Sequence, residues 1–147
     1  MAQGGAFGGW SIYLHEGRPA YCYNTFGVQR FKVYGADPLP AGEHQVRMEF
    51  AYDGGGLGKG GDATLFLDGT EVGSGRVEMS VPMAFSADET TDVGSDGGTP
   101  VSDDVAPNAT GFSGSVHWVQ LDIDEAADDL DHIIAPEELF RVAMARQ

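Results

Sequence analysis

Residues 53 to 62 read DGGGLGKGGD, six glycines around one lysine. Glycine backbone curling around a single ammonium group is the composition of a phosphate-binding loop. Such a loop requires G-x-x-x-x-G-K-[ST] and then a helix whose positive end faces the anion. With Gly58-Lys59 in register, Asp53 stands where the first glycine belongs and Gly60 where the magnesium-binding hydroxyl belongs. The residues that follow, ATLFLD, alternate as a strand does. The sequence therefore predicts a connection between two sheet strands here, and no nucleotide site at Lys59.

Carboxylates are the other abundant reactive groups. Asp and Glu total 23 against 8 Lys and Arg, a formal net charge of −15. Nucleic acid and anionic membrane surfaces are repelled by such a chain, whose only lysines are Lys32 and Lys59. The acids cluster between Asp88 and Asp104 and again between Asp122 and Asp131. Counted as an EF-hand from Asp92, the loop positions hold Asp92, Gly94, Asp96, Gly97 and Asp103. One ligand is missing, the last carboxylate is short, and no helices flank the loop, so this is not an EF-hand. Asp88, Glu89, Asp92, Asp96, Asp103 and Asp104 can still gather oxygens around a hard cation such as calcium, with Asp92, Asp96 and Asp103 as the candidate metal ligands. The competing reading is a solvated acidic face that maintains solubility.

Other chemistry finds less support. His15, His44, His117 and His132 lie in separate elements without metal-ligand spacing. Cys22 is the one cysteine, so no internal disulfide forms, and its place in YCYNTF predicts a buried, inert thiol. No G-x-S-x-G elbow supports a serine nucleophile. The sequon Asn108-Ala109-Thr110 matters only in a secreted eukaryotic protein. Trp10, Tyr13, Tyr21, Tyr23, Tyr34 and Trp118 either stack on sugar rings from one concave sheet or fill a core.

The elements that must position these groups are mostly strands. At 147 residues with 22 glycines, the chain is one domain's worth of short strands and turns. No apolar run approaches the roughly 18 to 20 residues of a membrane span. The opening MAQGGAFGGW lacks the features of a signal peptide and reads as the middle of a longer protein. GWSIYLH sets Trp10, Ile12 and Leu14 against Ser11, Tyr13 and His15, Glu16-Gly17 turns the chain, and PAYCYN returns. RFKVY and VRMEFAY follow, separated by the proline-bearing PLPAGEH loop. Leu67-Asp68-Gly69-Thr70 predicts a hairpin, with Gly69 at positive φ. SVHWVQLDI predicts one more strand, with Val119, Leu121 and Ile123 on one face. Seven to nine strands give an all-β fold, an antiparallel β-sandwich of jelly-roll or concanavalin A-like type over residues 1–125. Residues 126–147 are an acidic linker and a short C-terminal α-helix, with Pro136 in its first turn, Glu137 and Glu138 near its positive end, and Arg141 and Arg146 later.

Several long stretches also resemble a known family. AQGGAFGGWSIYLHEGRPAYCYN, FAYDGGGLGKGG, TLFLDGTEVGSGRV and FSADETTDVGSDGGTPVSDD, in that order, are similar to the C-terminal accessory domain of large bacterial arylsulfatases. The resemblance covers roughly residues 2 to 123. It implies a parent sulfuric ester hydrolase whose upstream catalytic domain carries formylglycine, made from the cysteine of C-x-[PA]-x-R, beside a divalent metal, usually calcium. Here the only cysteine gives Cys22-Tyr23-Asn24-Thr25-Phe26, which departs from that motif at Asn24 and Phe26, so no catalytic residue carries over. The chain is then expected to have no activity and no cofactor of its own, a calcium ion in the acidic loop excepted. Its expected partner is the catalytic domain of the same polypeptide, with a homo-oligomer left open. The alternative is a lectin-like module that directs the parent enzyme to a sugar, which a net charge of −15 disfavours for sulfated polymers.

Overall fold

The computed structural model describes residues 1–82, 90–106 and 111–122. The expected C-terminal helix, Asp88, Glu89, His132 and the Asn108 sequon lie outside these residues. The described part is all-β, with eight strands and no helix. In order they are β1 (Ala2–Gly5), β2 (Gly8–His15), β3 (Arg18–Thr25), β4 (Gln29–Tyr34), β5 (Val46–Tyr52), β6 (Gly61–Leu67), β7 (Thr70–Val77) and β8 (Thr91–Asp92). They form two antiparallel sheets, β4-β3-β2-β1-β8 and β5-β6-β7. Within each sheet consecutive strands are neighbours, and only β8 returns from far along the chain to pair with β1.

Two tight turns set the registers. Glu16 (φ 51) and Gly17 (φ 78) join β2 to β3, and Asp68 (φ 49) and Gly69 (φ 82) join β6 to β7. Both central residues of each turn are at positive φ, which matches the right-handed twist of the flanking strands. Tyr13 consequently faces Ala20, and Ser11 faces Cys22.

The sheets pack face to face in a sandwich-like arrangement. Tyr21, Tyr23, Phe31 and Val33 of the large sheet meet Ala63, Leu65 and Val77 of the small one. Leu65 and Val77 are completely buried, and each such side chain stabilises the fold by about 1.5–3 kcal/mol. On one flank β4 lies close against β7. Glycines make that approach possible: a Cβ on Gly73 would sit 2.4 Å from the Tyr34 carbonyl oxygen, and one on Gly75 would sit 2.9 Å from Val33 Cγ2. Ala36 N–H then donates to Val72 O at 3.0 Å and ties the two sheets together.

The structure differs from the sequence reading at β1 and β8, strands that no alternation marks, and at the last expected strand. Residues 115–122 form no strand and are exposed throughout. An alternating pattern defines which face a strand would bury, but a strand exists only where a neighbour accepts and donates its backbone hydrogen bonds.

The closeness of β4 and β7 can be measured. Gly73→Ala is expected to lower the unfolding free energy by about 3 kcal/mol, whereas Gly55→Ala, at φ 74 in open space, costs only about 1 kcal/mol. Urea denaturation of both variants decides it, and equal losses would mean that the two strands do not meet so tightly.

Candidate functional site

Strand alternation gives the large sheet a polar outer face. Ser11, Tyr13 and His15 on β2, Cys22 and Asn24 on β3, and Arg30, Lys32 and Tyr34 on β4 all point away from the small sheet. Left in water, such a face would be an ordinary solvated surface. Here the acidic segment 90–106 lies across it. Val101 is completely buried against Ala2 and Cys22, with Tyr13 packed alongside, and Arg30 Nε donates to Val101 O at 3.0 Å.

Asp104 holds this cover in place. Its carboxylate accepts hydrogen bonds from Tyr13 OH at 2.6 Å, Tyr34 OH at 2.8 Å and Lys32 Nζ at 2.7 Å. Lys32 also pairs with Asp103 at 2.5 Å, and His15 Nδ1 lies 3.8 Å from Asp104. Burial works against the ionised carboxyl, but the Lys32 ammonium and the two phenols outweigh it and hold Asp104 down to about 2. Burial likewise opposes the charged form of Lys32, yet Asp103 and Asp104 push its pKa above that of a free lysine. Tyr13 is raised by burial and by the Asp104 carboxylate, which keeps it a donor.

The candidate metal ligands are individually engaged. Asp92 Oδ2 accepts from Gly97 N–H at 3.0 Å, Asp96 Oδ2 from Val101 N–H at 3.2 Å, and Asp103 is bound to Lys32. Among the described residues no three His, Cys, Asp or Glu side chains are grouped so as to hold a metal ion. These contacts bend the segment and seat it on the sheet.

Cys22 lies in the middle of β3 with no exposed surface. Burial raises its thiol to about 11, the state of an unreactive cysteine. Neither the surrounding sequence nor this site fits formylglycine, which must meet substrate. The neighbouring Ser11 hydroxyl is buried without a hydrogen-bond partner among the described residues. His15 sits beside Asp104, His44 pairs with Asp68 at 2.7 Å, and His117 is exposed, so these three do not converge.

The glycine loop is the connection between β5 and β6, wrapped around one hydroxyl. Tyr52 OH donates to Gly56 O and accepts from Lys59 N–H. Gly54, Gly55, Gly56 and Gly58 all take positive φ to make the path, and Lys59 remains exposed. The six aromatics separate as well. Tyr21 and Tyr23 are core, Trp10 packs partly buried on that core, Tyr13 and Tyr34 sit under Asp104 on the opposite face, and Trp118 is 60% exposed. They do not share one platform.

One surface is marked by no sequence motif. The turns at Ala6–Phe7 and Phe26–Val28, the glycine loop and the residues after β7 meet at one end of the sandwich. A Cβ on Gly27 would meet Ala6 and Phe7, Thr25 Oγ1 donates to Met79 O, and Ser80 N–H donates to Lys59 O. At that end Phe7 is 73%, Phe26 52% and Val28 89% exposed, with Leu57 and Met79 nearly half exposed. The other end carries Glu16, Asp37, Glu43 and Asp68. The available signal was each apolar residue's place in a turn, but only the fold puts the turns together. Comparison of the chain with family models, curated proteins and solved structures finds no match in any of the three.

Acid should release the acidic cover. The folded Asp104 pKa lies below the unfolded value of about 4. Its contribution, about 2 kcal/mol, is therefore complete above pH ~4 and is lost as pH falls towards 2. Asp104→Asn is expected to lose it at neutral pH and to open residues 90–106 to limited proteolysis. A variant as resistant to protease as the parent chain at pH 7 would refute the clamp.

Proposed function

We propose that this chain is a non-catalytic accessory domain of an arylsulfatase-type sulfuric ester hydrolase, and that it packs on the catalytic domain of the same polypeptide. The observation that carries the reading is the apolar end of the sandwich. Three large apolar side chains more than half exposed, on turns that touch one another, are costly to leave in water and are what an interface within a larger protein looks like before its partner is in place. The sequence motifs running from AQGGAFGGW to the acidic segment support the choice of parent. The chemistry of the described residues supports a scaffold: the thiol is sealed in β3, and Asp92, Asp96, Asp103 and Asp104 are engaged with Lys32, Tyr13, Tyr34 and backbone N–H groups.

The finer assignment, to a jelly-roll or concanavalin A-like sandwich, rests on the return of β8 to pair with β1 across a long connection. In this reading Asp92, Asp96 and Asp103 shape the cover of the large sheet, and calcium serves the catalytic domain. Calorimetric titration with calcium should give no heat of specific binding in the isolated chain.

The proposal is tested in the parent polypeptide. Replacing Phe7, Phe26 and Val28 with serine should lower the temperature of half-inactivation by about 3 °C or more, while the isolated chain keeps its denaturation midpoint. An unchanged inactivation temperature would sink the docking assignment. The isolated chain should not turn over an aryl sulfate, and Lys59→Ala should leave the parent's activity intact; turnover by clean isolated protein would overturn the non-catalytic reading.

A further inference from the structure

The two sheets are unequal in width, five strands against three. Since β7 lies against β4 and β6 against β3 and β4, the whole deficit falls on one flank. Burial of the large sheet's inner face records it. Tyr21, Tyr23, Phe31 and Val33 on β3 and β4 are at most 9% exposed, but on β2 Trp10 and Ile12 are only half-buried and Leu14 is 38% exposed. Across from them, the inward residues Val46, Met48, Phe50 and Tyr52 of β5 are all half-buried. Among the described strands β5 pairs with β6 alone, so it is an edge of the small sheet. The outward-facing N–H and C=O groups of its seven residues are thus without a strand partner among the described residues, beside an apolar strip that is short by one strand.

The same chain carries an unpaired strand pattern. Residues 115–122, SVHWVQLD, alternate Val116 and Trp118 with Val119 and Leu121, and every one is exposed. Residues 113–122 make no backbone hydrogen bond to another described residue. The segment starts on the deficient flank: Phe112 N–H donates to Gly94 O at 2.6 Å, two residues beyond β8, the edge of the large sheet on that side. Ser113 and Gly114 follow and supply a swivel.

We propose that residues 115–122 dock in cis along the outer edge of β5 as a fourth strand of the small sheet. The structure then represents the undocked arrangement of a closing strap. Docking completes the backbone pairing of β5, lays apolar side chains over Trp10, Ile12 and Leu14, and covers an edge that otherwise invites association with other strands. Its eight residues suffice to run along the seven of β5. This inference is independent of the proposed function.

Amide hydrogen exchange on the full chain tests it. The comparison is with a Val119→Pro, Leu121→Pro variant, in which the segment cannot pair as a strand and, being exposed, should not disturb the rest of the fold. The amides of 46–52 that do not bond to β6 are expected to exchange at least tenfold more slowly in the parent chain, in a species that light scattering shows to be monomeric. Equal rates in the two proteins would overturn the proposal. So would protection that appears only in a dimer, which would assign the edge to a second copy, or only within the parent polypeptide, which would assign it to another domain.

Discussion

The Asp104 carboxylate is the contact on which the large sheet depends. Three donors from two strands converge on it, Tyr13 from β2 with Lys32 and Tyr34 from β4. A polar sheet face must either stay in water or be given partners, because each buried polar group left unpaired costs about 1–3 kcal/mol. Asp104 supplies those partners from a segment some seventy residues later in the chain. That turns the outer face into an interior, with Val101 and Cys22 at its centre. A large net negative charge would ordinarily keep acidic segments apart from the body of a protein. Here Arg30 and Lys32 stand on one face of β4, and the acidic segment lies where those cations are.

The second constraint is steric. β4 and β7 approach so closely that side chains at 73 and 75 would collide with backbone and with Val33. This closes one flank and, because the small sheet has three strands among the described residues, leaves the other open there. Closed flank, open flank and apolar end are consequences of one arrangement. None of them is a property of a single strand.

Much of the local structure was legible because it rests on local rules. Glu16-Gly17 and Asp68-Gly69 sit at the turns the sequence requires, and β2, β3, β4, β5 and β6 follow the alternation visible in GWSIYLH, PAYCYN, RFKVY, VRMEFAY and ATLFLD. Lys59 was readable as a loop residue because the phosphate motif fails at Asp53 and Gly60. β1 was not legible, since AQGG has almost no side chains from which to read a pattern; it is a strand because β2 and β8 pair with it. The segment 115–122 erred in the other direction. Its pattern is that of a strand, and no described residue pairs with its backbone here. Trp10 and Tyr13 show why the aromatic residues could not be sorted: they are three positions apart on one strand and so on opposite faces, and what covers each face is set by residues far away.

Composition, alternation and turn chemistry determined an acidic, all-β chain of antiparallel strands, with a buried cysteine and without a nucleotide loop at Lys59. Those features depend on backbone preferences and on periodicity, which act over a few residues. Tertiary structure alone decided that Asp103 and Asp104 neutralise Lys32, that Phe7, Phe26 and Val28 share one end, and that β5 is left with an open edge. Each of these joins groups distant in sequence, and no local pattern encodes which distant group arrives.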